Sequence, residues 1–254
     1  MKHSPVKPIS ISVVSYYNTI PLVYGLEHFM PPNSIVIDKV TPTECAQKLI
    51  RKQVDISLIP VAALFNLPEY HIIGAHCIGA VSRVATVELY SCCPLHEIKS
   101  VYLDHDSRTS NMLVQVLAKK LWHISPTWLE PEFGYESNIE GTTAGVIIGN
   151  RSLNYSNKFP FCYDLAQEWQ NLTKLPFVFA CWASLTPIDK AFLSLFDEAQ
   201  RKGIEHVKEA IDYQQTTFSF DIYSYLTKNI SFGLDNQKKE AMKLFEKHCK
   251  EIGD

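Results

Sequence analysis

Four consecutive residues, Ser107-Arg108-Thr109-Ser110, have the make-up of an anion site. An apolar strand, Ser100 to Leu103, runs into the polar turn Asp104-His105-Asp106. Beyond Ser110, Met112, Leu113, Val116, Leu117 and Leu121 recur at helical spacing. The four residues therefore fall at a helix start, where free backbone N–H groups and the positive end of the dipole favour an anion. Arg108 adds a planar donor fork suited to a carboxylate or a phosphate. The same residues also fit a purely structural role, with Ser107 or Thr109 capping the helix and Arg108 paired to a surface acid.

The elements that position this turn alternate between strand and helix. Ile11 to Val14 reads as a first strand, followed by Ser15-Tyr16-Tyr17-Asn18-Thr19 and a short helix, Pro21 to Phe29, with Asn18 or Thr19 as its cap. Ser34 to Val40 alternates as a strand, and Thr41 caps the next helix, with Pro42 at its first position and Glu44 completing a capping box. Val54 to Ile59 is a strand, Pro60 opens another short helix, and Ile72 to Ile78 and Val84 to Tyr90 are strand-like. A second unit then holds the strand at Val101, the Arg108 turn and its helix, a strand at Thr127 to Glu130, and a buried strand at Ala144 to Ile148 ahead of Gly149-Asn150-Arg151-Ser152. Tyr163 to Asn171 reads as a helix and Phe177 to Ala183 as a buried strand leading back. A helix from Pro187 is ended by Gly203, Thr216 to Leu226 fits helix or strand, and Gln237 to Ile252 is an amphipathic helix.

Such alternation predicts an α/β fold of two units around a ligand cleft, joined by two crossover segments. Residues 1–94 plus 185–254 are assigned to the first domain and 95–184 to an inserted second one. Polar loops at strand ends face the cleft in folds of this kind, which places Ser15 to Thr19, Thr41, Pro60, the Ser107 loop and the Gly149 loop there.

Composition narrows the chemistry. The chain has 254 residues, 46% of them hydrophobic, and a formal net charge of −3, so a broad nucleic-acid face is not expected. No apolar run is long enough for a membrane span. The opening Met1–Pro8 segment leads into an alternating strand and not into a signal-peptide core, which predicts a cytoplasmic protein. Seven cysteines without a C-x-x-C pair read as reduced thiols, and the nine histidines show no H-E-x-x-H spacing, so no metal is expected. Neither G-x-G-x-x-G nor a Walker A motif is present, so no nucleotide cofactor held in either of those ways is expected.

Five stretches taken in order carry a resemblance: Val14-Ser15-Tyr16-Tyr17-Asn18-Thr19-Ile20-Pro21-Leu22, Asp55-Ile56-Ser57-Leu58-Ile59-Pro60, Leu103 to Ser110, Ile147-Ile148-Gly149-Asn150, and Leu175 to Trp182. The chain resembles the chorismate dehydratases of the futalosine route to menaquinone. The resemblance implies a type II periplasmic-binding-protein-like fold in a cytoplasmic enzyme. It also implies dehydration of chorismate to 3-[(1-carboxyvinyl)oxy]benzoate with no cofactor, the substrate's own carboxylate acting as base. The family's Asn of the S-Y-x-N motif falls on Asn18. Its catalytic Ser falls on Thr86, with Ser82 a second hydroxyl nearby. Where the family usually has Asp after Gly, this chain has Asn150.

On this reading Asn18 and Thr86 act on the substrate, while Ser15, Thr41, Ser107, Arg108, Thr109, Ser110 and Gly149 bind it. Asp104 is expected to order its own loop, and Phe179 and Trp182 to sit in the core. The expected partner is a small dicarboxylate, with neither nucleic acid nor membrane and with a homodimer left open. The rival reading is a non-catalytic cytoplasmic binding protein or sensor for a small carboxylate.

Overall fold

The structure, a computed structural model, describes residues 7–155 and 157–253. Of the opening Met1–Pro8 segment, Lys7 and Pro8 are among the described residues. The chain begins with β1 (Ile9–Val14), α1 (Ile20–Phe29), β2 (Ile35–Val40), α2 (Pro42–Ile50), β3 (Ile56–Pro60), α3 (Val61–Leu64) and β4 (His71–Ala80). It continues with β5 (Val87–Ser91), β6 (Ser100–Tyr102), α4 (Arg108–Leu117), β7 (Thr127–Leu129), β8 (Thr143–Ile148), β9 (Phe161–Asp164) and α5 (Leu165–Thr173). It closes with β10 (Phe177–Ser184), α6 (Lys190–Glu205), α7 (Val207–Asp212), α8 (Ile222–Ser224), β11 (Ser231–Gly233) and α9 (Asn236–Gly253).

Local chemistry accounts for several of these boundaries. Thr41 and Glu44 form a reciprocal capping box at the start of α2, with Pro42 in its first turn. Ser107 caps α4 by accepting from Ser110 N at 3.0 Å, and Asp164 caps α5 by accepting from Ala166 N and Gln167 N. Among the described residues no helix is long and apolar enough to cross a membrane.

The strands form two mixed sheets, ordered β11-β4-β10-β3-β1-β2 and β7-β6-β8-β5-β9. β1 lies parallel to both β2 and β3, and β10 runs antiparallel between β3 and β4. Fully buried Ile11, Leu58, Ile59, Cys181 and Trp182 fill the first sheet's core. α9 packs against β10 of the first sheet and also against α4 of the second.

Sheet membership corrects the expected division in two places. The Val87–Ser91 strand, assigned to the first unit, pairs with β8 and β9 and so belongs to the second sheet. The Phe177–Ser184 strand, assigned to the end of the second unit, lies within the first. The crossings are therefore at residues 81–86 and 174–176.

Three element assignments also change. Tyr163 and Asp164 end a strand, and the helix starts only at Leu165. Gly203 lies inside α6, where a Cβ would come within 2.0 Å of Pro21 O, so it serves close helix packing and not termination. The Thr216 to Leu226 region is mostly irregular, ending in α8 and a π-helical turn, Tyr225–Asn229.

Candidate active site

A cavity of about 520 Å3, measured to the surrounding atoms and including its mouth, lies where the strand ends of the two sheets meet. Its wall is built from Val14, Tyr16 and Asn18 after β1, Pro42 and Pro60 at the starts of α2 and α3, and Ile78 of β4. The first crossing contributes Val84 and Thr86, and the second sheet with its adjoining loops and α4 contributes Val87, Ser107, Ser110, Ile148 and Gly149. Phe179 and Ala180 of β10 close it. This is the strand-end crevice where open α/β sheets hold small ligands.

Five of the nine residues singled out from the sequence come together here: Asn18, Thr86, Ser107, Ser110 and Gly149. Four do not reach the wall. Ser15 is exposed and its hydroxyl points to Val40 O at 3.4 Å, because strand alternation carried past Val14 turns Ser15 outward and Tyr16 inward. The Thr41 hydroxyl is taken up by the α2 capping box, leaving Pro42 to face the cavity. Thr109 is buried and accepts from Ala62 N at 3.2 Å, so it ties α4 to α3 across the cleft. Arg108 is exposed and lines an adjoining groove with Gln47, Ile50 and Asp106. The helix repeat explains this split: Ser107 and Ser110, three apart, share a face, while Arg108 lies about 100° round the helix.

The choice between the two hydroxyls at the crossing is clear. Ser82 is exposed, while Thr86 is buried and lines the cavity. Thr86 follows Ala85, whose φ of 64° is left-handed, and the Asp164 carboxylate holds this bend by accepting from Val84 N at 3.2 Å and Ala85 N at 2.7 Å. Burial pushes the Asp164 carboxyl up to about 6, against the pull of those backbone donors.

Asn18 is not a helix cap. α1 starts at Ile20 after Thr19, whose hydroxyl donates to Val14 O and Tyr16 O instead. The side-chain oxygen of Asn18 is buried at the cavity wall and has no hydrogen-bond partner among the described residues. A buried carbonyl oxygen without a donor costs stability, so the position calls for a donor supplied by a guest.

Four residues given no site role on sequence also shape this region. Phe179 lines the cavity, while Trp182 is fully buried in the core. Tyr16 lays its ring against Gly149; burial, and then the Asp106 and Asp104 carboxylates, push its phenol well above its usual range. Asn150 accepts from Tyr17 N at 3.1 Å, joining the two sheets' loops. Tyr225 meets Thr86 at 3.0 Å. Tyr16 was within reach of sequence reasoning through strand parity; the other three depend on packing between distant segments.

Asp104 does order its loop. It accepts from Asp106 N at 2.8 Å and from the Arg151 guanidinium at 2.5 Å, and Arg151 also reaches Glu136 at 2.6 Å. Burial raises the Asp104 carboxyl above its ordinary value, and Arg151 opposes that shift. No group of three or more His, Cys, Asp or Glu gathers as a metal site among the described residues.

Two sheets joined by two crossings, with a strand-end cavity between them, define a two-domain α/β protein of the periplasmic-binding class. Protein AF1704 from Archaeoglobus fulgidus superposes with a TM-score of 0.74 at 14% identity, covering 98% of this chain and 99% of that one. The periplasmic aliphatic sulphonate binding protein of Escherichia coli gives 0.65 at 16% identity, covering 98% and 87%. Within that class the chain belongs to the menaquinone biosynthesis family, which matches residues 9–251. Two relatives described as chorismate dehydratase, from Thermus thermophilus and Campylobacter jejuni, are each 24% identical. The alignments cover 94% of this chain in both cases, and 94% and 96% of the relatives.

Proposed function

We propose that the protein is a cytoplasmic lyase of the futalosine route that dehydrates chorismate to 3-[(1-carboxyvinyl)oxy]benzoate. The observation that carries this reading is the unpartnered side-chain oxygen of Asn18, buried in the same wall as the Thr86 hydroxyl. A ring hydroxyl placed between them would donate to Asn18 Oδ1 and accept from Thr86. The name shared by the two bacterial relatives supports the choice of chorismate.

The reaction breaks one C–H bond at ring C3 and one C–O bond at C4, forms a ring double bond and releases water. The C3 proton passes to the substrate's own carboxylate, which gives it up to the departing hydroxide, directly or through solvent, so that water leaves and the carboxylate is regenerated. Thr86 stabilises the negative charge growing on the leaving oxygen. Asn18 holds that oxygen in line, so that rate enhancement comes from positioning and fixed dipoles. The start of α4, which brings Ser107 and Ser110 to the cavity wall, would receive one carboxylate.

The test is incubation of the pure protein with chorismate, with and without EDTA, followed by mass detection of the enolpyruvyl benzoate. Product formed in both samples supports the reading. Absence of turnover by a folded protein that binds chorismate in calorimetry replaces it with the binding-module reading.

A further inference from the structure

Tyr225 belongs to neither sheet and does not line the cavity, yet its phenol meets the hydroxyl of one of the two residues assigned to the chemistry. The ring is buried, and the phenol oxygen lies 3.0 Å from Thr86 Oγ1. Among the described residues the phenol has no other hydrogen-bond partner. Asn18 Oδ1, in the same wall, has none at all.

This contact sets the direction of the hydrogen bond. With no other acceptor in reach among the described residues, the buried phenol points its single proton at Thr86. Thr86 Oγ1 accepts that proton, and its own proton is then free to point into the cavity. Burial pushes the phenol well above its ordinary range, so it keeps its proton at neutral pH. Asn18 is left presenting an acceptor and Thr86 a donor, the pair that a leaving hydroxyl needs.

The backbone around Tyr225 is held for this task. Tyr225 opens the π-helical turn Tyr225–Asn229, closed by Ile230 N donating to Tyr225 O at 3.1 Å. At the far end of that turn, Asn229 Nδ2 donates to Arg83 O at 3.1 Å, on the same crossing that carries Thr86. The turn thus grips the crossing at two points, three residues apart.

We propose that Tyr225 is a positioning residue that directs the Thr86 proton into the cavity, an inference that rests on the dehydratase reading above. Three variants test it: Tyr225→Phe, Thr86→Val and the double variant, each assayed with chorismate beside a thermal melt. Tyr225→Phe removes only the hydroxyl, and kcat falls about 10- to 100-fold with KM within twofold. In the Thr86→Val background the same change costs no more than about twofold, because Thr86 no longer has a proton to direct. Site-specific 3-fluorotyrosine at 225 keeps the hydroxyl and retains at least about half of the wild-type kcat.

An unchanged kcat in Tyr225→Phe overturns the inference while leaving the dehydratase reading intact. So do losses that multiply in the double variant. If Tyr225→Phe does not fold, the fluorotyrosine protein and Asn229→Ala decide. Loosening the turn at Asn229 should lower kcat at constant KM, and equal kcat overturns the inference. A wild-type protein inert toward chorismate overturns both readings together.

Discussion

The ring of Tyr16 lies directly against the backbone of Gly149: a Cβ at Gly149 would come within 3.1 Å of the ring's Cζ. Gly149 also has a φ of 65°, which side-chain-bearing residues rarely adopt. The two residues belong to different sheets' loops, so their contact closes one side of the cavity. Gly149→Ala is expected to cost about 1–3 kcal/mol from the backbone alone. It should also displace Tyr16 and lower kcat/KM more than the stability loss explains. Urea unfolding combined with the chorismate assay checks this, and a variant with wild-type kcat/KM speaks against Tyr16 as a cavity wall.

Asn18→Ala should leave the melting temperature almost unchanged, because the side chain caps no helix and its oxygen has no partner to lose. Turnover should fall by at least about 100-fold, the scale seen when one oriented polar group is removed from a transition state. Thermal melts and product formation measured on the same preparation separate the two effects. A protein that is less stable yet fully active would return Asn18 to a structural role.

The two arginines near the cavity should behave oppositely. Arg151→Ala leaves the fully buried Asp104 carboxylate without its guanidinium, and since Arg151 itself is partly exposed the expected cost is about 2–3 kcal/mol. Arg108→Ala, on an exposed side chain outside the cavity wall, should change stability by less than about 0.5 kcal/mol and KM by less than about threefold. Parallel denaturation curves and Michaelis plots decide the pair. A tenfold or larger rise in KM for Arg108→Ala would restore it as a substrate grip.

Asp164 gives stability a specific pH dependence. Its carboxyl is raised from 3.8 to about 6 in the folded protein, chiefly by burial. The native state therefore binds this proton more tightly than the unfolded chain does. The resulting stabilisation is fully present below about pH 4 and is lost as pH rises through about 6. Asp164→Asn should flatten the wild-type stability curve over that interval. Urea midpoints at half-unit pH steps measure it, and identical slopes in both proteins would remove Asp164 as the cause.

Much of the local structure was legible because it depends on residues close in sequence. The Thr41–Glu44 box and the helix start at Ser107 are spelled out within four residues. The cavity required long-range information. Thr86 and Tyr225 lie 139 positions apart, and the aromatic-rich segment around Tyr225 has no periodicity to announce a π-helical turn. On sequence Val87–Ser91 falls in the first unit with β4, from which only six residues separate it. Its true neighbours, β8 and β9, are far along the chain. Arg108 was over-read because residue type says what a side chain can bind, whereas its angle round α4 decides what it meets.

The cavity wall described above carries no charged side chain among its described residues: hydroxyls, an amide, backbone and apolar groups make up all of it. Neutral dipoles are barely screened by dissolved ions, and the chain's own formal charge of −3 does nothing to draw an anion inward. Capture of a dicarboxylate should therefore be nearly indifferent to ionic strength from dilute buffer to half-molar salt. Where a cation-lined site would lose its guest as salt rises, this one should rely on shape and fixed N–H directions, with diffusion unassisted by any long-range field.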